Sequence, residues 1–245
     1  LSLFTNELFA HMQDSFRRFP LTILIAICLC IASLMMVHTS NAFLRQNDHI
    51  IILALLSMFS ASTPLTLWGE SCGWATQKKF GIVFLSLLAI TTLFIGNNSP
   101  EITAAFVIIG WLAALAVLPT LGRAPDNKAL CSHNTALIVT LFFTGLTTAV
   151  LTGGITGLLK SVELLIYKNL FVSYPLIYTD ILIIVGILFS TFYFLSHLRH
   201  PQKSDTEETT YYPAGVGFLM HYILSPLVAA YTLLLYAYFL KMVLQ

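Results

Sequence analysis

A chain of 245 residues that is 57% hydrophobic and only 9% charged is too apolar for a water-soluble globular domain, because such domains carry about 25% charged residues and turn much of their surface to water. Its formal net charge of +1 offers no basic field to attract nucleic acid. A bilayer acts as an apolar solvent and removes the difficulty, and the even spread of apolar segments predicts one membrane domain over residues 1–245.

The chain opens on Leu1 rather than methionine, the expectation for a processed or trimmed start, and shows no signal-peptide pattern. In residues 1–18, Phe4, Leu8, Met12 and Phe16 recur at helical spacing, with Leu3 and Phe9 nearby and Asn6, Gln13, Asp14, Arg17 and Arg18 between them. That pattern predicts an amphipathic helix lying in the membrane interface, and it equally suits a short helix packed on the bundle. Residues 19–245 then read as a helical bundle. A spanning helix needs about 20 apolar residues. Seven runs qualify, near Pro20–Val37, Ile50–Trp68, Phe80–Ile95, Ile102–Leu121, Thr135–Leu159, Leu176–Leu195 and Val216–Leu244. They are continuous and do not alternate, so they are helices rather than barrel strands. The fold class is all-α, a polytopic integral membrane bundle.

Orientation follows from lysine and arginine in the short loops. Arg17, Arg18, Lys78, Lys79, Arg123, Lys128, Arg199 and Lys203 fall on one side, and Arg45, Lys160, Lys168 and Lys241 on the other. The excess places the N-terminus in the cytoplasm, and an odd number of spans puts Gln245 outside. Residues His200–Tyr212, with Lys203, Asp205, Glu207 and Glu208, read as a solvated cytoplasmic loop. Cys28 and Cys30 lie in an apolar run and read as small hydrophobes. Cys72 and Cys131 are expected in cytoplasmic loops, where thiols stay reduced. No cysteine spacing matches a zinc site.

Three places carry chemical character. The fifth span holds Thr144, Gly145, Thr147, Thr148, Thr152, Gly153, Gly154, Thr156 and Gly157. Small residues let helices approach closely, while Gly153–Gly154 also allows unwinding beside a cavity. The run lacks the GK[ST] ending of a phosphate loop. Beyond it, Lys160 and Glu163 share a helix face, and the segment Leu158–Ser173 reads as a helix emerging at the outer interface. In the seventh span, Pro226 predicts a kink, Tyr231 and Tyr238 share one face, and Lys241 follows one turn after Tyr238. The bland account is an aromatic belt with a snorkelling lysine. The ligand-binding candidates are therefore Tyr231, Tyr238, Lys241, Pro226, Gly153 and Gly154. Ionisable residues within the spans are few: Asp180, His221 and Lys241 all fall near span ends, where they can snorkel. His38 and His49 flank the first outer loop at a spacing that is a weak metal signal. No catalytic set, metal site or cofactor motif is predicted.

The stretch His221–Leu244, HYILSPLVAAYTLLLYAYFLKMVL, resembles a signature of a bacterial membrane-protein family known as domain of unknown function 4153. The matching residues are Pro226, Leu227, Tyr231, Tyr236, Ala237, Tyr238 and Lys241. FRRFPLTILIAI and GLLKSVELLI are similar to two further family segments. The resemblance implies a bacterial inner-membrane protein with more spans beyond Gln245, and it brings no activity. Three readings remain open. The first is a non-enzymatic transporter-like or envelope-assembly component that handles a lipid or other apolar small molecule, or supports a protein partner or a second copy. The second is a structural subunit of a larger membrane complex. The third is a membrane enzyme acting on a lipid, drawing on Asp180, Glu163, His38, His49 and Glu101 on one side or His221 and His197 on the other.

Overall fold

The computed structural model describes residues 16–39, 42–94, 99–121, 127–165, 176–198 and 223–244. Nearly all of those residues are helical, with no strand among them. Helix α1 covers Pro20–His38, α2 Ala42–Ser71, α3 Thr76–Phe94, α4 Pro100–Leu121 and α5 Asn127–Leu165. The sixth span joins α6 (Ile177–Ile183), a π-helical stretch (Ile184–Phe189) and α7 (Ser190–His197), and α8 covers Ser225–Leu244. Among the described residues, seven helices are long and apolar enough to cross a membrane. The protein is a multi-pass helical membrane bundle. Residues such as Phe106, Ile109, Leu233 and Val243, 66–74% exposed, face outward as lipid-contacting side chains do.

Several boundaries differ from the sequence expectation. Residues 1–15 of the expected interfacial helix lie outside the described residues, as do His200–Tyr212, His221 and the beginning of the predicted seventh span. Helix α2 starts at Ala42, so His49 sits within a helix rather than beside a loop. Helix α5 starts at Asn127, which puts Cys131 on a helix as well. Its 39 residues make a rod of about 58 Å, well beyond the hydrocarbon thickness of about 30 Å. Gly153–Gly154 do not unwind it.

The chain divides into two compact units, Leu1–Leu141 with Thr191–Asp205, and Phe142–Ser190 with Thr206–Gln245. In the first, α2 is the central helix and packs on α1, α3 and α4. Apolar burial drives little helix association in lipid, so close approach matters more. The α2 contact surface is accordingly small: Ser57, Ala61 and Ser62 are fully buried. Ser60, Ser62 and Thr66 return their hydroxyls to Ser57, Phe59 and Ser62 carbonyls at 2.8, 2.9 and 2.7 Å. Back-bonded in this way, they pack as small apolar groups. A second cluster, built on Phe19, Ile23, Leu67, Leu115, Leu195 and Leu198, closes one end. At that end Arg18 donates to Glu70 and to the Leu198 carbonyl, and Ser71 Oγ donates to the Pro119 carbonyl at 2.6 Å. The start of α1 and the ends of α2, α4 and α7 thus meet at one end, as successive up-and-down crossings require. All eight basic residues of the majority loops adjoin this end in sequence.

In the second unit, the α6 end of the sixth span meets α5: Tyr178 donates to Glu163 Oε2 at 3.3 Å, and Lys160 pairs with the same oxygen at 2.7 Å. Ser190 Oγ donates to the Gly186 carbonyl within the π-helical stretch. Helix α8 lies along α5 with both chains running the same way, because Leu227 and Tyr231 meet Gly154 and Gly157 while Lys241 reaches Leu165.

Candidate functional site

The residues expected from sequence to form a site fall in the second unit, and the structure sets three of the six, Gly154, Tyr231 and Lys241, along the α5–α8 contact. Residues Leu227, Tyr231, Leu234, Tyr238 and Lys241 share one face of α8 by the three-and-four spacing of helix contacts. Leu227 lies where a Cβ on Gly154 would be, and a Cβ on Gly157 would stand 2.6 Å from the Tyr231 hydroxyl. That hydroxyl donates to the Gly154 carbonyl at 3.4 Å. The missing side chains of Gly154 and Gly157 are therefore what admit α8. Lys241 Nζ donates to the Leu165 carbonyl at 3.4 Å. Leu165 is the last described residue of α5. Tyr238 lies half-buried on the same face. Gly153 points away, with nothing within 4 Å of its Cβ position. Pro226 is the second residue of α8 and follows a π-type turn at Ile223–Leu224, and the segment before that turn, on which the expected kink bears, lies outside the described residues.

Of the remaining groups, Asp180 is half-buried in the first turn of α6, and Glu163 joins Lys160 and Tyr178. In the first unit, His197 stacks on Tyr193 with ring centroids 4.2 Å apart, its Nδ1 2.9 Å from the Tyr193 carbonyl. Among the described residues, no three His, Cys, Asp or Glu side chains are grouped as a metal site.

The more developed site lies in the first unit, and the sequence reading did not single it out. The end of α2 reads Trp68-Gly69-Glu70-Ser71-Cys72-Gly73-Trp74. Gly73 takes the left-handed conformation at φ 64°. Its N–H donates to the Glu70 carbonyl at 3.2 Å, and the Trp74 N–H to the Gly69 carbonyl at 2.9 Å. These two bonds are the Schellman pattern, and the apolar contact that accompanies it is Trp68 against Trp74, ring centroids 4.9 Å apart. The stop folds Trp74 back over Gly69 and starts α3 at Thr76. A Cβ on Gly69 would stand 2.6 Å from Lys79 Cγ and 3.2 Å from Trp74 Cε3, so the bare backbone there seats both side chains. Lys78 places its ammonium 5.1 Å from the Trp74 ring centroid.

Glu70, so positioned, is 5% exposed and meets an Arg18 that is 13% exposed. The guanidinium binds it in the two-pronged mode, Nη2 to Oε2 at 2.9 Å and Nε to Oε1 at 3.2 Å, and Nη1 donates to the Leu198 carbonyl at 3.2 Å. A carboxylate near a helix C-terminus opposes the dipole, and Arg18 offsets that. Beside the pair opens a cleft of about 380 Å³. Its lining combines the polar Arg17, Arg18, Lys79, Thr66, Thr76 and Glu70 with the apolar Pro20, Leu21, Trp74, Phe80 and Val83. Three cations face one carboxylate there, which leaves two positive charges over.

A family model described as a domain of unknown function (DUF4153) matches residues 23–245, nearly the whole chain. The chain belongs to this family. No curated protein and no solved structure matches it. The matched region runs from Ile23 within α1 through α8, including the α5–α8 contact and the cleft residues from Thr66 to Val83, while Arg17, Arg18, Pro20 and Leu21 precede it.

Proposed function

We propose that the protein is a non-enzymatic component of a bacterial inner membrane, its N-terminus in the cytoplasm, which binds a lipid-like amphiphile in the cleft of its first unit. The carrying observation is the cleft's mixed lining, the cations Arg17, Arg18 and Lys79 together with the apolar Leu21, Phe80 and Val83, at the end of membrane-crossing helices. Its volume of about 380 Å³ suits a headgroup with the first part of its chains. The basic residues adjoining this end support a cytoplasmic placement by the positive-inside rule. On this reading the Tyr231–Gly154 contact and Lys241 hold the second unit in register. Native mass spectrometry of the full chain from mild detergent tests the proposal: the parent protein retains lipid, and Phe80→Asp, which puts a charge among the apolar lining residues, loses it. Equal retention by both would remove the cleft from the argument.

A second reading, a subunit that carries a partner in the membrane, draws on α8. Leu233, Tyr236, Phe239, Leu240 and Val243 are 61–70% exposed along it. Cross-linking from Leu240→Cys to a stoichiometric protein, rather than to lipid, would favour this reading.

A further inference from the structure

We infer that the cleft of the first unit selects a phosphate-bearing, anionic lipid headgroup, with Lys79 and Arg17 as the groups that read its charge. This rests on the amphiphile-binding reading and adds the ligand's chemical class. Arg18 does not supply the selectivity: its charge is matched by Glu70 in a buried two-pronged pair, and a third N–H is held by Leu198. Arg17 and Lys79 are the remaining cations of the lining, and neither meets a carboxylate among the described residues. Lys79 is held in place by its environment. Its stem lies against Gly69, under the same Trp74 whose position the Schellman stop fixes. A lysine seated in this way loses little further freedom on binding an anion. Thr76 brings a hydroxyl to the lining, while that of Thr66 is held by the Ser62 carbonyl. The first turn of α3, which includes Thr76 and Lys79, adds a dipole of the same sign as the cations. A zwitterionic headgroup presents its own cation to these groups and loses the advantage, and a neutral one has no charge to read.

The experiment is a lipid titration of the full chain in an uncharged detergent, followed by native mass spectrometry. Phosphatidylglycerol, phosphatidylcholine and diacylglycerol of identical acyl chains are compared, and inorganic phosphate is added alone in a parallel thermal-unfolding series. Each cation near a charged headgroup contributes about a fivefold change in affinity. Phosphatidylglycerol is therefore expected to bind most tightly, and Lys79→Gln and Arg17→Gln each to weaken it about fivefold while leaving diacylglycerol binding unchanged. Lys78→Gln, next along the chain but outside the lining, is expected to leave the preference intact. Arg17 is exposed, so its variant reports even if Lys79→Gln fails to fold. Equal binding of phosphatidylglycerol and phosphatidylcholine would overturn the charge selection and leave amphiphile binding standing. No saturable binding of any lipid would overturn both. An equal loss from Lys78→Gln would reduce the effect to diffuse surface attraction and overturn the site. Stabilisation by inorganic phosphate equal to that by phosphatidylglycerol, and lost in Lys79→Gln, would overturn the lipid as the source of the anion.

Discussion

Removing one partner of the Arg18–Glu70 pair should unsettle the first unit far more than removing both. Three hydrogen bonds at 2.9–3.2 Å join Arg18 to Glu70 and Leu198, and the two charged groups are 13% and 5% exposed. Glu70→Gln keeps the shape and leaves a nearly buried guanidinium without its counter-charge, a change that costs about 3–5 kcal/mol. For a chain of this length that corresponds to a fall in melting temperature on the order of 10 °C. Arg18→Gln should cost a similar amount, since it strands the carboxylate beside the α2 C-terminus and frees the Leu198 carbonyl. The double variant Arg18→Met/Glu70→Leu removes both charges and keeps most of the volume, so it should recover more than half of the loss. The assay is thermal unfolding in one fixed detergent, read by tryptophan fluorescence, with Trp68 and Trp74 near the change. Single variants that melt within about 2 °C of the parent, or a double variant whose loss is the sum of the two singles, would refute the claim that the pair is buried and coupled.

Three further outcomes are expected. Gly154→Leu should lower stability by about 1–3 kcal/mol through overpacking against Leu227, whereas Gly153→Leu, with open space at its Cβ position, should melt at or above the parent temperature. Equal melting of the two would mean that α8 does not sit on Gly154. Tyr231→Phe removes one long hydrogen bond, 3.4 Å to the Gly154 carbonyl, and should change stability by no more than about 1 kcal/mol; a larger loss in the same unfolding assay would show that the hydroxyl does more than that bond. Cys72, exposed in the turn after α2, should react with a membrane-impermeant maleimide only when the cytoplasmic face is open. Labelling of intact cells that disappears in Cys72→Ser would invert the proposed orientation.

The spans were legible because their cause is local. A run of about 20 apolar residues has one way to satisfy its backbone in a bilayer, and the structure begins the first span at Pro20, as the sequence predicts. The ends of the longer helices were less legible. Helices α2 and α5 begin earlier than the apolar runs, in the mixed stretches Ala42–Asp48 and Asn127–His133 with their Arg45, Gln46, Asn47, Asp48, Asn127 and Lys128. Nothing in Ile184–Phe189 distinguishes a π-helical stretch from an α-helix by composition. At Gly153–Gly154 the sequence allowed packing or unwinding, and the choice depended on Leu227 of another helix.

The cleft shows the same division within one short segment. Trp68-Gly69-Glu70-Ser71-Cys72-Gly73-Trp74 carries a local signal, a glycine where a helix must stop, bracketed by two residues able to make the accompanying apolar contact. From that stop the fold-back of Trp74 follows, and with it the need for a bare backbone at Gly69. What the segment does not carry is the identity of its partners. Glu70 near a helix C-terminus reads as a mild electrostatic misfit until Arg18, 52 residues earlier, is placed against it. Conversely, Arg17 and Arg18 read as two equal votes for a cytoplasmic loop, yet the structure gives them different work: Arg18 is consumed in an internal pair, and Arg17 is left facing the cleft. A loop's basic residues therefore set topology by their number, but only packing decides which of them remains free to meet a ligand.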